Sequence, residues 1–225
     1  MGDPKEFLAD YVIDFIKDKK IIGLGTGSTI KRIIEILANK IELKDKIFIS
    51  SSLDTELLLS ELQLHSISLS QGFVADIYVD SFDVFNGNVL IKGGGGALFR
   101  EKLLAENSHE RVFVGDKSKF KIMKSYVIPL EVEIVSAKYV VNKLKNRGYK
   151  VFLRSVEKGK YGPIISDNGN VIMDIEVQDN QNLCELHYEL KRIVGVIETG
   201  IFCKEYYDYI VLADNDGKLE IFKKG

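Results

Sequence analysis

The sequence predicts an α/β fold, a doubly wound and mainly parallel sheet of Rossmann-like kind with a smaller ferredoxin-like α+β domain. Up to residue 115, short apolar runs alternate with segments of helical periodicity, which is typical of a parallel sheet. Two of these runs pass directly into glycine turns that open helices. From residue 128 the order becomes strand, helix, strand, strand and helix, with a hairpin turn at Asp167-Asn168-Gly169-Asn170.

The order of elements divides the chain into two predicted domains. We expect a main domain at residues 1–127 and 199–225 and a small domain at 128–198. Asp3-Pro4 begins the first helix, because a capping side chain is followed by proline at the first helical position. Strands are predicted at 21–24, 47–49, 67–69, 77–79, 89–91, 112–115, 132–135, 149–156 and 171–177, and two late strands, at 209–213 and 218–222, rejoin the main sheet.

Composition excludes several classes of function. The 225 residues are 45% hydrophobic with a net charge of −2, so nothing indicates a nucleic-acid or membrane surface. The cysteines, Cys184 and Cys203, lack CxxC spacing, and we expect neither a disulfide framework nor a zinc site. The three histidines are scattered, which gives no support for a metal cluster. Without a spanning segment or a signal-peptide profile, we expect a cytoplasmic protein.

The stretch from Val89 to Lys102 carries the strongest functional signal. A short apolar strand leads into four glycines and then into a helix, where free amides and the helix dipole favour an anion. Lys92 enters this loop and Glu101 lies about one turn into the helix. Together they can hold an oxyanionic or phosphorylated substrate and move a proton on it. The alternative is a loop fixed by packing, with Glu101 merely complementing the dipole.

A second glycine turn, at residues 25–29, follows the first predicted strand. Its glycines permit a sharp turn, and its hydroxyls and amides can donate to an anion. The G-x-G-x-x-G pattern is incomplete, since Ser28 stands in place of the third glycine, so nucleotide binding has weak support. Alternatively, the hydroxyls only cap the following helix. The candidate binding residues of this turn are Thr26, Gly27, Ser28 and Thr29.

Asp80 and Asp83 follow another apolar strand directly. Aspartate in a turn is often structural, and that alternative stays open here. However, this pair, the turn at Gly25 and the loop at Lys92 all fall at predicted strand C-termini. Ligands bind beyond that edge of a parallel sheet, so we expect the three segments to share one edge and one site.

These motifs together resemble the type A ribose-5-phosphate isomerase family. Lys92 to Lys102 is similar, nearly residue for residue, to the end of the family pattern L-I-K-G-G-G-G-A-L-L-R-E-K. The resemblance covers essentially the whole chain. Other segments similar to the family are Gly23–Thr29, Ser51-Ser52, Asp80–Asp83, Asp116–Lys119, Asp167–Asn170 and Val196–Phe202.

The resemblance implies an isomerase that interconverts ribose 5-phosphate and ribulose 5-phosphate through an enediolate in the pentose phosphate pathway. It implies that Glu101 is the base, and that Asp80 and Asp83 serve ring opening and hydroxyl orientation. Lys92 would stabilise the developing charge with nearby amides. The implied substrate-binding residues are Gly93, Gly94, Gly95, Lys119 and the hydroxyl turn at residues 26–29. A homodimer or homotetramer and the absence of any metal or organic cofactor are also implied.

The sequence departs from the family in the segment from Asp80 to Val84. The family pattern there is D-G-A-D-E, whereas this chain has Ser81, Phe82 and Val84 in place of glycine, alanine and glutamate. Ser81 and Phe82 are placed with the substrate-binding residues by position, and the change puts substrate preference and turnover in doubt. One rival is therefore a non-catalytic sugar-phosphate-binding protein on the same scaffold. A second is a nucleotide- or acyl-CoA-dependent enzyme that uses the two glycine turns.

Overall fold

The computed structural model describes residues 3–40, 43–156, 159 and 161–224, which separate into two units. The large unit comprises Met1–Phe82, Arg100–Lys119 and Lys204–Gly225, and the small unit comprises Asp83–Phe99 and Phe120–Cys203. These bounds differ from those of the predicted domains, chiefly because residues 83–99 group with the small unit. The division into functional domains stays a prediction.

Helices and strands alternate through most of the described chain. The α-helices are α1 (Pro4–Ile16), α2 (Ser28–Lys40), α3 (Leu53–Glu61), α4 (Leu98–Glu106), α5 (Ala137–Asn146) and α6 (Leu183–Lys191). The strands are β1 (Ile21–Leu24), β2 (Ile47–Ser50), β3 (Ser66–Ile67), β4 (Ile77–Ser81), β5 (Val84–Phe85), β6 (Leu90–Ile91), β7 (Arg111–Asp116), β8 (Ser125–Val132), β9 (Lys150–Leu153), β10 (Val171–Gln178), β11 (Val196–Thr199), β12 (Ile201–Phe202), β13 (Tyr209–Ala213) and β14 (Leu219–Lys223).

The large unit is built on a seven-stranded sheet of order β14-β13-β7-β4-β1-β2-β3. β14 runs antiparallel to β13, and the other neighbouring pairs are parallel. The strand order reverses between β1 and β4, and ligands of such sheets bind outside the strand C-termini at this point. The predicted fold class is confirmed, and the late strands β13 and β14 join the main sheet as expected.

The first helix forms as its sequence predicts. Asp3 caps it by accepting a hydrogen bond from the Lys5 amide at 3.0 Å, and proline occupies its first position. Leu8, Val12 and Ile16 lie on one face of α1 and are buried in the core of the large unit. Removal of this apolar stripe from water fixes the helix on the sheet.

The small unit carries a four-stranded antiparallel sheet of order β11-β8-β10-β9. Along the chain the elements run β8, α5, β9, β10, α6 and β11, which is the ferredoxin-like order that the sequence predicts. The apolar core lies on one face of this sheet, where alternate residues of β10, namely Met173, Ile175 and Val177, are buried with the helices.

The strand predicted at residues 132–135 is wrong. The strand is β8, which ends at Val132, and a short 3-10 helix follows at Ile134–Ser136. Pro129 lies inside β8, and a proline argues against a central strand because it lacks an N–H group. Pro129 is tolerated because it faces the side where β11 has already ended, at Thr199. On that side its own carbonyl accepts a hydrogen bond from the Gly200 amide at 2.7 Å.

The expectation that three segments share one sheet edge is also wrong. The strand before Lys92 is β6, which belongs to a separate antiparallel sheet of order β12-β6-β5 in the small unit. The Lys92 loop therefore does not follow a strand of the parallel sheet. A two-residue apolar run does not reveal its partner, and here one partner, β12, lies more than a hundred residues further along the chain.

The two cysteines form a disulfide, contrary to expectation. Cys184 lies in the first turn of α6 and Cys203 follows β12, with Cα atoms 5.9 Å apart. Spacing along the chain did not reveal the pair because packing of α6 against the sheet brings the two together. Among the described residues, no helix is both long enough and apolar enough to cross a membrane.

Lys46 offers a test of how α1 is held. It is 9% exposed, and its Nζ donates to the carbonyls of Ile16, Lys17 and Lys19 at 2.8–2.9 Å, where α1 ends. Because Lys46→Met leaves these carbonyls without their charged donor, we expect the free energy of unfolding to fall by about 2–3 kcal/mol in urea denaturation. Lys44→Met, at an exposed position, is the control; an equal effect of the two substitutions would contradict this role.

Candidate active site

The predicted site residues are distributed over both units. The large unit holds Asp80, Ser81, Phe82, Glu101, Lys119 and the turn at residues 26–29. The small unit holds Asp83, Lys92, Gly93, Gly94 and Gly95.

Asp80 is seated against a glycine at the strand-order reversal of the large unit. Its side chain is completely buried at the end of β4, next to the turn that follows β1. A Cβ atom at Gly25 would lie 1.7 Å from Asp80 Oδ1, so only glycine allows the carboxylate into this place. Asp80 Oδ1 accepts from the Ser81 amide at 2.6 Å, and Oδ2 accepts from the Tyr78 hydroxyl.

Tyr78 is a buried donor that the sequence analysis missed. Burial raises the pKa of its hydroxyl well above the usual 10.0, and the nearby charges of Asp80 and Glu101 raise it further, while the Ser51 hydroxyl acts in the opposite direction. The phenol therefore keeps its proton and donates a hydrogen bond to Asp80. Residues two apart in a strand share a face, so alternation along β4 could have placed Tyr78 beside Asp80.

Glu101 lies in the first turn of α4, as predicted, and its side chain is only 3% exposed. Its charge is the third cause of the raised pKa of Tyr78, after the burial of that hydroxyl and the charge of Asp80. The adjacent Lys102 is equally buried, with its Nζ 5.2 Å from the centre of the Tyr206 ring. A carboxylate buried in the first turn of a helix is a candidate for proton transfer, because the helix holds it in one orientation.

Hydroxyl groups hold the turn that follows β1. Ser52 Oγ donates to Thr26 Oγ1 at 2.8 Å, and Thr55 Oγ1 donates to the Gly25 carbonyl at 2.8 Å. Gly27 has a φ of +91°, which glycine adopts without strain. Gly27 and Ser28 are exposed where α2 begins, whereas Thr29 is buried. Free amides at this helix start suit an anion.

Phe82 and Lys119 contact each other within the large unit. The Phe82 ring is 1% exposed, and Lys119 Nζ lies 5.7 Å from its centre. A Cβ atom at Gly115 would lie 3.0 Å from the ring, so a side chain there would be tightly packed against Phe82. The substrate-binding roles of Ser81, Phe82 and Lys119 stay predictions, and the Phe82 ring itself packs into the interior.

The glycine loop of the small unit forms a tight turn. The Gly96 amide donates to the Gly93 carbonyl at 3.0 Å, and these residues have φ values of +82° and +96°. The Gly94 amide donates to Asp83 Oδ2 at 2.8 Å. A Cβ atom at Gly94 would lie 2.8 Å from Asp83 Oδ1, so the close approach of this carboxylate also requires glycine.

Lys92 brings a buried positive charge to the start of this turn. Its side chain is 3% exposed, and its Nζ lies 5.7 Å from the centre of the Phe202 ring. The Lys92 amide donates to the Gly200 carbonyl at 2.9 Å, which ties the entry of the loop to the chain next to β12. A buried ammonium and backbone amides are groups that can stabilise an oxyanion, and Gly95 of this loop is an exposed residue.

Within the part of the chain that the structure describes, no group of three or more His, Cys, Asp or Glu side chains could hold a metal ion. The buried carboxylates, lysines and backbone amides described above can transfer protons and stabilise negative charge.

Comparisons with known proteins agree with one another. The model of the family ribose 5-phosphate isomerase A (phosphoriboisomerase A) matches residues 47–217. The chain is 36% identical over 206 residues to ribose-5-phosphate isomerase A of Bacillus mycoides, covering 90% of this chain and 92% of the relative. The enzyme of the same name from Archaeoglobus fulgidus is 34% identical over 214 residues, with the same two coverages.

Solved structures give the same result. The ribose 5-phosphate isomerase A of Methanocaldococcus jannaschii superimposes with a TM-score of 0.88 at 32% identity, covering 99% of both chains. A D-ribose-5-phosphate isomerase in complex with phospho-erythronic acid gives a TM-score of 0.88 at 31% identity, covering 98% of this chain and 97% of that one.

The Tyr78–Asp80 contact predicts a pH-dependent stability. Tyr78→Phe removes a hydrogen bond to a buried carboxylate, so we expect it to lower the free energy of unfolding by about 1.5–3 kcal/mol at pH 8. Because folding raises the pKa of Tyr78, its contribution is complete below the pKa of an unfolded tyrosine and is lost as pH rises beyond it. At pH 10.5 the difference should shrink by about 0.8 kcal/mol.

Urea denaturation of both proteins at the two pH values measures this difference. Tyr161→Phe is the control, because that side chain is fully exposed. A gap between wild type and Tyr78→Phe that is the same at pH 8 and pH 10.5 would show that Tyr78 does not retain its proton.

Proposed function

The chain belongs to the ribose 5-phosphate isomerase A family, and we propose which of its residues carry the reaction. It is an aldose–ketose isomerase that interconverts ribose 5-phosphate and ribulose 5-phosphate through an enediolate in the pentose phosphate pathway. A relative binds phospho-erythronic acid, and we propose that this chain also binds that sugar acid, whose carboxylate resembles the charge of the enediolate.

Glu101 is the proposed base. The reaction moves a proton between C2 and C1, and one carboxylate can take the proton from C2 and return it to C1. The observation that supports this most is the burial of the Glu101 carboxylate, 3% exposed, in the first turn of α4. The helix holds the carboxylate in one orientation, as repeated proton transfer requires.

Lys92 and the amides of the glycine loop are the proposed partners of the enediolate oxygens. The buried ammonium of Lys92 supplies a full positive charge, and the exposed amides of the turn supply oriented dipoles. Such preorganised donors stabilise charge that develops in the transition state more than they stabilise the neutral sugar. We propose this role for the loop made of Gly93, Gly94 and Gly95; because the Gly94 amide donates to Asp83 Oδ2, the donors to the enediolate are the amides on either side of it.

Asp80 and Asp83 are the proposed groups for ring opening and hydroxyl orientation. Each carboxylate is fixed against a glycine and accepts from a backbone amide, which supports a fixed geometry toward sugar hydroxyls. We also propose substrate contacts for Ser81, Phe82, Lys119 and the turn made of Thr26, Gly27, Ser28 and Thr29.

This mechanism uses side chains and amides alone, so we propose that turnover needs no metal or organic cofactor. The family resemblance also supports a homodimer or homotetramer that works in the cytoplasm. The mass of the purified protein in solution, measured by light scattering, tests the assembly, and a monomeric mass would contradict it.

The central test compares Glu101→Gln with wild type in the conversion of ribose 5-phosphate to ribulose 5-phosphate after EDTA treatment. We expect metal-independent turnover in the wild type and a loss of about 10²–10⁴-fold in kcat in the variant, because the amide cannot accept the proton. Glu106→Gln is the matched control, since Glu106 lies exposed on the same helix. It should retain wild-type turnover.

Two results would contradict these proposals. If wild type binds ribose 5-phosphate without converting it, the protein binds sugar phosphates and is not an isomerase. If wild type turns over and Glu101→Gln retains that rate, the reaction stands and another group is the base.

A further inference from the structure

Arg154 forms a paired contact with Asp174 on the small unit's sheet. Arg154 follows β9 directly, and Asp174 lies on the neighbouring strand β10. Arg154 Nε donates to Asp174 Oδ2 at 2.9 Å, and its Nη2 donates to Oδ1. The side chains of Arg154 and Asp174 are 16% and 15% exposed. This two-point geometry fixes the plane of the guanidinium group.

The remaining nitrogen of this guanidinium reaches the glycine loop. Arg154 Nη1 donates to the Gly93 carbonyl at 2.8 Å and to the Gly94 carbonyl at 2.9 Å. Two consecutive peptide groups of the turn therefore direct their oxygens toward the same cation. The contact spans sixty residues of sequence, and no local pattern indicates it.

The direction of these carbonyls sets the direction of the amides. In a trans peptide the C=O and N–H bonds point in opposite directions, so a carbonyl held by Arg154 turns the next N–H away from it. The Gly94 amide follows this rule, because it donates to Asp83 Oδ2 at 2.8 Å. The Gly95 amide belongs to the second held peptide and is turned in the same sense on an exposed residue.

The loop also packs on the face of the small unit's sheet that lies opposite the apolar core. A Cβ atom at Gly93 would lie 3.2 Å from Pro129, and one at Gly96 would lie 3.5 Å from Ile172. Ile172 and Asp174 are two apart on β10 and so share this face, opposite the apolar core. The sheet thus supports the turn from beneath, while Arg154 sets the rotation of its peptides.

We propose that Arg154, held in place by Asp174, is a positioning residue that orients and polarises the Gly94 and Gly95 amides for catalysis. The Gly94 amide fixes Asp83, and the Gly95 amide donates to the oxygen on which the enediolate charge develops. This inference rests on the proposed function and adds to it a residue that touches no substrate.

A positioning role predicts a specific kinetic pattern. Amides that donate to the developing charge lower the free energy of the transition state more than that of the bound sugar. Their misorientation therefore lowers kcat and leaves KM nearly unchanged. Loss of one oxyanion donor typically costs on the order of 10²–10³-fold in kcat. The carboxylate of phospho-erythronic acid should also report the amides, since it carries charge where the substrate carries none.

The experiment measures kcat, KM, the inhibition constant of phospho-erythronic acid and the unfolding temperature in Arg154→Ala. We expect kcat to fall about 100-fold, KM to stay within about threefold and inhibition by phospho-erythronic acid to weaken more than substrate binding. Millimolar guanidinium should restore part of the turnover of Arg154→Ala. It should not restore that of Glu101→Gln.

Two further variants complete the design. Asp174→Asn keeps the size of the side chain and removes its charge, so it tests the clamp even if Arg154→Ala does not fold; we expect about a tenfold lower kcat. Lys150→Ala is the matched control, because Lys150 pairs with Glu176 at 2.9 Å across the same two strands and lies at the opposite end of β9 from Arg154. It should retain wild-type kinetics.

The outcomes separate this inference from the proposed function. An inactive wild type overturns the function itself. An active wild type with an inactive Glu101→Gln leaves the function standing; in that case, folded Arg154 and Asp174 variants with wild-type kcat overturn the positioning role. A kcat loss that guanidinium does not relieve, or one that Lys150→Ala shares, also overturns it, since support of the sheet would then explain the effect.

Discussion

Close approach of a carboxylate to a glycine is the constraint on which the candidate site depends. Asp80 lies against Gly25 in the large unit, and Asp83 lies against Gly94 in the small unit. A Cβ atom would overlap the carboxylate oxygen at Gly25, where the separation is 1.7 Å, and would crowd it at Gly94, where the separation is 2.8 Å. The glycines therefore serve less to make the chain flexible than to leave room for acids, and the neighbouring amides then hold those acids in one orientation.

These contacts explain how ionisable groups are buried here. Asp80, Lys92, Glu101 and Lys102 are each no more than 3% exposed, and the transfer of such groups out of water is unfavourable. For Asp80, the Tyr78 hydroxyl and the Ser81 amide offset part of that cost. Stability alone would be served as well by apolar residues of similar size. Catalysis, by contrast, gains from charges that are already removed from water, which is consistent with the roles proposed for Asp80, Lys92 and Glu101.

Local patterns predicted much of the fold and of the site. The capped first helix, the alternation of strands with helices, and the glycine turns at residues 25–29 and 93–96 all lie in short sequence windows, and each formed where it was expected. The parallel sheet and the ferredoxin-like order follow from such windows taken in sequence. Lys92 and Glu101, which match a known motif, are both buried in the structure, and their roles stay proposals.

What the sequence did not reveal depends on distance along the chain. The pairing of β6 with β12, the Cys184–Cys203 disulfide and the Arg154–Asp174 pair each join segments that carry no mutual signal. The strand around Pro129 was misplaced for a related reason. Whether a missing N–H group matters there depends on where the neighbouring strand ends.

The pairing of Arg154 with Asp174 also decides what kind of influence the arginine has. An unpaired guanidinium would attract any anion nearby and would compete with the glycine amides for the substrate. Paired with a carboxylate, it carries no net charge at a distance and acts only on the peptide oxygens that it touches. Under the proposed function, the amides of the turn would thus receive direction and polarisation from a group that leaves the charge of the enediolate to Lys92 and to the loop itself.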